Sequence, residues 1–131
     1  PHEGAFDEAQ AHRFGLEAAN SVPVVQHMGE QAAASTPLPA SGGLLTFPAL
    51  PVITTHVKEA ADGDGLIVRL LNASDQAQTA QIGSALLTIT GAQQCDLLEN
   101  EQSVLVVNEG AVSVEVPPRR VVVVALQTKA I

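Results

Sequence analysis

The sequence predicts a mainly β protein, an antiparallel two-sheet β-sandwich with a short N-terminal helix. Hydrophobic residues make up 46% of the 131 residues and aromatic residues only 2%, so the core must be aliphatic, and the β-branched residues Val and Ile favour strands. After Gly43 the chain consists of short apolar segments separated by turn residues, as in small sandwiches. The last segment, Val121 to Leu126, is apolar throughout, which is typical of a central strand covered on both faces.

The helix is predicted for residues Asp7 to Asn20. Asp7 and Glu8 would place carboxylates at the positive end of the helix dipole, and Pro23 prevents continuation beyond Asn20. Apolar residues recur at steps of three and four and would form the packing face: Ala11, Phe14 and Ala18. We expect this face to pack through Phe14 onto the sandwich or onto another copy of the chain.

Residues 27–43 lack any apolar periodicity and are rich in Ala, Ser, Pro and Gly. Such a stretch is typical of a linker or a long surface loop. We therefore divide the chain into a helical lead-in at residues 1–26, this linker, and a C-terminal β-sandwich domain at residues 44–131. The opening residues, Pro1-His2-Glu3-Gly4, contain no initiator methionine and indicate a segment of a longer polypeptide.

Nine strands are predicted beyond the linker. They are Leu44–Phe47, Val52–Lys58, Leu66–Leu71, Ala77–Ile82, Leu86–Ile89, Gln93–Leu98, Val104–Val107, Ala111–Val116 and Val121–Leu126. The second and third should form a hairpin, because the Asp-Gly pairs at residues 62–65 supply the positive φ angles of a tight turn. The eighth alternates valines with polar residues, which indicates one buried and one wet face.

The charge and the cysteine content exclude several classes of function. The net charge of −8 offers no basic surface to nucleic acid or to an anionic membrane. No apolar run approaches the roughly 20 residues of a membrane-spanning helix. The single cysteine, Cys95, excludes an internal disulfide and fits a reducing compartment, so we predict a cytoplasmic location.

Two patterns resemble metal sites, and neither is complete. Asp62-Gly63-Asp64-Gly65 resembles the start of a calcium loop, but Ile67 stands where that loop requires Gly and Ala73 where it requires Glu. A plain hairpin turn is the favoured interpretation. The histidines show no short ligand spacing that would indicate zinc: His2, His12, His27 and His56. We predict no metal and no cofactor in this chain.

Candidate catalytic groups are equally sparse. Cys95 would be a nucleophile only beside a histidine base, and within an apolar strand it is better interpreted as a small core residue. A glycosidase needs two carboxyl groups ~5 to 9.5 Å apart across a sugar-binding cleft. The acidic cluster of Asp96, Glu99 and Glu101 could supply such a pair, but a solvated turn is the favoured interpretation. The absence of Trp and Tyr argues against independent sugar binding. We therefore assign no catalytic, cofactor-binding or metal-binding residue.

Several segments resemble the C-terminal region of glycoside hydrolase family 38 α-mannosidases. Pro1-His2-Glu3-Gly4, then a helix ending at Asn20 with Pro23 soon after, resembles one stretch of that family. Residues 56–70, HVKEAADGDGLIVRL, resemble its Leu-Lys-x-Ala-Glu-Asp-Gly-x-Gly-Leu-Ile-x-Arg-Leu hairpin. Residues 96–99 resemble the acidic strand end that follows. Pro118 to Leu126 occupies the place of the terminal Pro-Phe-Glu-Ile strand, with Arg119-Arg120 instead of Phe-Glu.

The resemblance implies a non-catalytic domain of a retaining α-mannosidase, whose zinc and aspartate nucleophile belong to an N-terminal catalytic domain. Its partners would be the N-terminal and central domains of that enzyme, with self-association of the isolated chain a further expectation. The alternative is a free-standing β-sandwich binding or adhesion module. A docked domain should expose an apolar patch and a free module should not, whereas an independent small enzyme would need a pocket with convergent reactive groups.

Overall fold

The computed structural model describes residues 4–20 and 42–130, which contain one helix and eight strands. These are α1 (Glu8–Ala19), β1 (Val52–Glu59), β2 (Leu66–Asn72), β3 (Gln78–Gly83), β4 (Leu87–Cys95), β5 (Glu101–Leu105), β6 (Val107–Asn108), β7 (Ala111–Val116) and β8 (Val121–Ala130). Every strand pair is antiparallel. The strands form a five-stranded sheet in the order β1-β2-β8-β4-β5 and a three-stranded sheet in the order β3-β7-β6. The predicted fold class is confirmed.

The main core lies between the two sheets and is aliphatic, as the composition requires. The buried side chains of β2, β3, β7 and β8 meet there: Val68, Leu70, Ile82, Val112, Val114, Val116, Val122, Val124 and Leu126. Burying each side chain of this size contributes roughly 1.5–3 kcal/mol relative to leaving it in water. On β7 the intervening Ser113 and Glu115 are exposed, which confirms the predicted wet face.

Strand β8 occupies the centre of the large sheet, between β2 and β4. Val122 and Val124 point into the core between the sheets. Val123 points to the opposite face, where it packs with Ile67 and Cys95 in a second buried cluster. The predicted central position of this strand, covered on both faces, is confirmed, and its apolar run follows from that position.

Two predicted strands, Leu86–Ile89 and Gln93–Leu98, are one strand in the structure. β4 runs without a turn from Leu87 to Cys95, and the pairing with β8 shifts by one residue between Ile89 and Gly91. A β-bulge therefore replaces the expected turn, and the bare backbone of Gly91 accommodates the side chain of Gln127. The predicted end of the strand was also wrong, because residues 96–98 belong to the turn before β5.

Two further strand predictions need correction. The segment Val104–Val107 contributes to both sheets, since β5 pairs with β4 and β6 pairs with β7. The chain changes sheets at Val106, which is 79% exposed. Leu44–Phe47 is not a full strand. Only Thr46 pairs, through two backbone hydrogen bonds of 2.8 and 3.2 Å with Gly83, while Leu45 is buried in the main core.

The limits of the helix are confirmed, but its predicted packing face was wrong. Asp7 caps the first turn by accepting a 3.0 Å hydrogen bond from the Gln10 amide, and the Asn20 amide donates to Leu16 at the other end. The predicted packing residues, Ala11, Phe14 and Ala18, are exposed, with Phe14 72% exposed.

The helix packs instead through Ala9 and Leu16. These residues contact a small cluster on the outer face of the large sheet, formed by Leu50, Ile53 and Ala73. Ala9 is buried in this contact, and its small side chain lets the helix approach the surface closely. Phe14 thus does not pack onto the described part of the sandwich, and its contact with a second copy stays a prediction.

The predicted linker at residues 27–43 lies outside the described residues except for residues 42–43, which have no regular secondary structure. Part of the predicted lead-in, at residues 1–3 and 21–26, is likewise outside them. The described helix does not have the length and apolarity needed to cross a bilayer.

Candidate functional site

The candidate site lies where two turns meet over the outer face of the large sheet. One turn, residues 60–65, joins β1 to β2, and the other, residues 96–100, joins β4 to β5. Glu99 connects them, because its carboxylate pairs with the Lys58 ammonium and accepts a 2.8 Å hydrogen bond from the Ala61 amide. The Lys58 hydrogen bond, followed by that amide, lowers the pKa of Glu99, so this carboxylate stays ionised.

Asp96 organises the β4–β5 turn from within. One carboxylate oxygen accepts from the Leu98 and Asn100 amides at 2.8 and 3.0 Å, and the other accepts from the Asn100 side chain at 2.8 Å. The Asn100 hydrogen bonds lower the pKa of Asp96. A general acid of a glycosidase needs a raised pKa, so neither Asp96 nor Glu99 is suited to protonate a leaving group.

The third candidate carboxylate, Glu101, is exposed at the start of β5, opposite Cys95 on β4. The structure thus brings Asp96, Glu99 and Glu101 to one end of the large sheet, as predicted. Two of the three have their oxygens engaged by hydrogen-bond donors of the turns. The arrangement stabilises turns, in agreement with the favoured interpretation.

Beside these turns lies a groove of about 270 Å³. Ile67 and Ala125 contribute apolar surface to it, and three acidic residues, Asp62, Asp64 and Glu99, also line it. A groove of this composition is suited to an apolar or cationic group. It offers no aromatic ring to a sugar, since the three phenylalanines are elsewhere and the chain has no Trp or Tyr.

Cys95 is 4% exposed and packs with Ile67 and Val123 on the outer face of the large sheet. Burial raises the pKa of its thiol, so the thiol stays protonated at neutral pH. Its sulfur makes a weak 3.9 Å hydrogen bond to the Gln93 carbonyl. Cys95 is a core residue of this face, as the sequence interpretation favoured.

The Asp-Gly segment at residues 62–65 forms the predicted hairpin turn. The Gly63 amide donates to the Ala60 carbonyl at 2.9 Å, the Ala60 amide donates to the Gly65 carbonyl at 3.1 Å, and Asp62 accepts from the Asp64 amide at 3.0 Å. The hydrogen-bond pattern is that of a turn, with one of the two aspartates engaged by the backbone.

The donor groups of the described residues do not fit a metal ion. Within residues 4–20 and 42–130, no three His, Cys, Asp or Glu side chains are grouped as a metal site requires. His12 is exposed on α1 and His56 is exposed on β1, while His2 and His27 lie outside the described residues. The zinc implied for the α-mannosidases therefore has no matching donor set in the described part, and the absence of a cofactor stays a prediction.

Asn72 is a structural residue that the sequence interpretation missed. It is fully buried, and its side-chain nitrogen donates to the Gln76 and Val116 carbonyls at 2.7 and 2.9 Å. Its oxygen accepts from the amide and the hydroxyl of Ser74 at 2.9 and 2.8 Å. Asn72 thereby links the end of β2 to β7 in the other sheet. The available signal was an Asn two residues before a Ser at the end of an apolar strand, a pattern typical of Asx-turns.

A run of large apolar side chains is exposed along β5 and its flanks. We call residues 97–106 the β5 edge. Within it Leu97, Leu98, Val104 and Val106 are 65%, 83%, 76% and 79% exposed. These four account for much of the exposed aliphatic surface of the described residues, and a docked domain is expected to show such a feature.

Comparison with known proteins identifies the sandwich. A family model described as the glycosyl hydrolases family 38 C-terminal beta sandwich domain matches residues 51–123, more than half of the chain. The match extends from the start of β1 into β8 and thus spans both sheets. No curated protein matches the chain. With the two antiparallel sheets observed, this match shows that the chain belongs to the family of glycosyl hydrolase family 38 C-terminal β-sandwich domains.

Proposed function

We propose that this chain is a non-catalytic, supporting domain of an α-mannosidase. The observation that carries the proposal is the family match over the sandwich, because glycosyl hydrolases of family 38 give this domain its name. The domain would bury surface of its neighbours, the N-terminal and central domains of the enzyme, and so hold the catalytic domain in its active arrangement.

The chemistry of the described site supports a structural role. Asp96 and Glu99 are ionised, and their hydrogen bonds have structural roles: those of Asp96 hold the β4–β5 turn, and those of Glu99 join it to Lys58 and to the β1–β2 turn. Cys95 is buried with a raised pKa. In this proposal the zinc and the aspartate nucleophile of the retaining reaction belong to the catalytic domain. The proposal includes a cytoplasmic location, to which a single unpaired cysteine is suited.

The exposed β5 edge favours a docked domain over a free-standing binding module. Leu98 and Val104 offer apolar area that gains stability when a neighbour removes it from water. A free-standing module would gain nothing from this surface and would risk aggregation through it.

The first test measures catalysis by the isolated chain. The purified 131-residue protein, supplied with zinc, should release no nitrophenol from 4-nitrophenyl α-mannoside above a mock preparation. Zinc-dependent hydrolysis that copurifies with the chain would overturn the non-catalytic role.

The second test addresses support of the enzyme. In the complete polypeptide that carries this domain, deletion of residues 44–131 should lower both the thermal midpoint and the mannosidase activity. A complete polypeptide without α-mannosidase activity would refute the assignment of substrate. Unchanged activity and midpoint after the deletion would refute the supporting role.

A further inference from the structure

Two Asp-Gly pairs follow one another in the turn between β1 and β2, Asp62-Gly63 and Asp64-Gly65. An Asp-Gly pair is prone to rearrange, because glycine has no side chain to keep its amide nitrogen away from the carboxyl carbon of the preceding aspartate. Both aspartates are exposed. In sequence the two pairs are nearly equivalent, since each aspartate follows a small residue and precedes Gly. A difference in their reactivity must therefore come from the fold.

Hydrogen bonds hold both reacting groups of the first pair. The Gly63 amide, which would be the nucleophile, donates to the Ala60 carbonyl at 2.9 Å. The Asp62 carboxylate, which would be attacked, accepts from the Asp64 amide at 3.0 Å. Both hydrogen bonds have to be released before the Gly63 nitrogen can reach the Asp62 side chain. The fold thus protects this pair.

The second pair has no such restraint. Among the described residues, neither the Asp64 carboxylate nor the Gly65 amide takes part in a hydrogen bond. Gly65 is held through its carbonyl instead, which accepts from the Ala60 amide at 3.1 Å. The Asp64 side chain lines the open groove beside the turn. Its carboxyl group and the next amide nitrogen are therefore both available for reaction.

We propose that Asp64-Gly65 is a site of spontaneous isoaspartate formation, and that the fold protects Asp62-Gly63 from the same reaction. In the protonated form of the carboxyl group, the Gly65 nitrogen bonds to Cγ of Asp64 and the Cγ–O bond breaks. The amide proton and the hydroxyl group leave as water. Water then opens the five-membered imide: cleavage at Cγ restores aspartate, and cleavage at the backbone carbonyl carbon leaves the main chain running through Cβ and Cγ.

The rearranged chain does not fit the turn. Isoaspartate adds one atom to the main chain directly before Gly65, where a Cβ would already lie 2.1 Å from the backbone oxygen of Leu126. The main chain has no room to shift toward β8, so the turn has to move outward. This movement pulls the Ala61 amide away from the Glu99 carboxylate, to which it donates at 2.8 Å. We expect faster hydrogen exchange at residues 60–66 in the isoaspartate form.

Peptide mapping of the aged chain tests the proposal. The folded 131-residue protein is kept in warm buffer at neutral pH, and trypsin then cuts after Lys58 and Arg69, so that residues 59–69 carry both pairs. Fragment ions of electron-transfer mass spectrometry identify isoaspartate at each position. It should form about tenfold faster at Asp64 than at Asp62, since two hydrogen bonds restrain the latter pair.

The same ageing in concentrated urea is the control for the fold. There the two pairs should react at similar rates, because neither retains its hydrogen bonds. Asp64→Glu should remove the product of the folded protein, since a glutamate side chain would have to close a six-membered ring, which is much slower. Asp62→Glu makes the same change in the protected pair and should not reduce the product at Asp64.

Four outcomes would overturn the inference. They are equal rates at the two pairs in the folded protein, faster reaction at Asp62, no isoaspartate at either position, and the same preference for Asp64 in urea as in the folded protein. Unchanged exchange at residues 60–66 in the separated isoaspartate form would refute the movement of the turn. None of these results bears on the supporting role proposed above, which is tested by activity and by domain deletion.

Discussion

Arg119 Nη1 lies 2.6 Å from the Glu8 carboxylate, which joins the turn between β7 and β8 to the first turn of α1. The same guanidinium uses its Nε to contact Asp75 at 2.8 Å. The hydrogen bonds that Arg119 donates to Asp75 and then to Glu8 raise the pKa of Arg119, and the hydrogen bond to Asp75 lowers the pKa of that carboxyl group. One exposed side chain therefore contributes to holding the helix against the sandwich, beside the small contact through Ala9 and Leu16.

Arg119→Ala should release the helix without unfolding the sandwich. We expect faster amide hydrogen exchange at residues 11–19 and unchanged exchange in β8, because exposed ion pairs contribute little to global stability. Arg120→Ala, which removes an exposed neighbour, is the matched control. Equal acceleration by both variants would show that the ion pair does not hold the helix.

The ion pair of Asp75 should also depend on pH. The pKa of Asp75 is lower in the folded protein than its ordinary value of 3.8. The stability that this ion pair contributes is therefore fully present above pH 3.8, and it is lost as the pH falls through the lower pKa of the folded protein. Helix exchange in the unaltered protein, corrected for the intrinsic rate, should accelerate in that acidic range. The Arg119→Ala protein should lose this Asp75-dependent part of the acceleration.

Gly65→Ala should be far more disruptive than Gly63→Ala. A Cβ at Gly65, where φ is +113°, would lie 2.1 Å from the backbone oxygen of Leu126 in β8, whereas a Cβ at Gly63 meets nothing within 4 Å. We expect a loss of roughly 1–2 kcal/mol for Gly63→Ala from its positive φ, and about 3 kcal/mol or more for Gly65→Ala. Urea unfolding measures both, and similar losses would contradict the close approach of the turn to β8.

Asn72→Asp should destabilise the protein in a pH-dependent manner. The change replaces the two hydrogen bonds donated to the Gln76 and Val116 carbonyls with an acceptor, which we expect to cost about 3 kcal/mol or more. A buried carboxyl group favours its protonated form, so the penalty should grow as the pH rises through ~4. Asn108→Asp, at an exposed position of β6, should show neither effect. The free energy of unfolding, measured with urea at pH 3.5 and pH 7, distinguishes Asn72→Asp from Asn108→Asp.

Val123→Asp should prevent stable folding, and Val121→Asp should be tolerated. The two residues share a strand and a sheet face, yet Val123 is 3% exposed and Val121 is 47% exposed. Arg69 lies opposite Val123 on β2, but removing a carboxylate from water costs several kcal/mol even beside a cation, a large part of the stability of a small domain. Circular dichroism and the thermal midpoint provide the comparison. A folded Val123→Asp protein with a wild-type midpoint would contradict the burial of the outer face.

Sequence patterns predicted the fold well where burial repeats along a strand. The alternation in β7 and the unbroken apolar run in β8 each follow from which faces of the strand are covered. The bulge in β4 was not predictable, since Gly91 between two apolar stretches resembles a turn and its role depends on the distant Gln127. The helix face was mispredicted because its own periodicity cannot show which surface the sheet offers. The cluster around Ile53 decides this.

The sequence predicted where the acidic residues of the candidate site lie, but not which residues they contact. The acidic residues of the β4–β5 turn are recognisable from residues 96–101 alone. Glu99 and Lys58 are 41 positions apart in sequence. Strands β1 and β5 are opposite edges of the large sheet, so neither the sequence nor the strand pairing predicts that the two turns meet over its outer face. Asn72 was missed for a similar reason, because its partner Val116 belongs to the other sheet.

The position of β8 has a consequence for biosynthesis. In the large sheet this strand separates the β1–β2 hairpin from the β4–β5 hairpin, and it follows both of them in sequence. Until β8 has been synthesised, the two hairpins have no common neighbour in this sheet, and the apolar side chains of their inner faces are less fully covered. The sheet can close only after residues 121–130 have left the exit tunnel. Folding of this domain should therefore be late and abrupt, with the greatest risk of aggregation just before the last strand emerges.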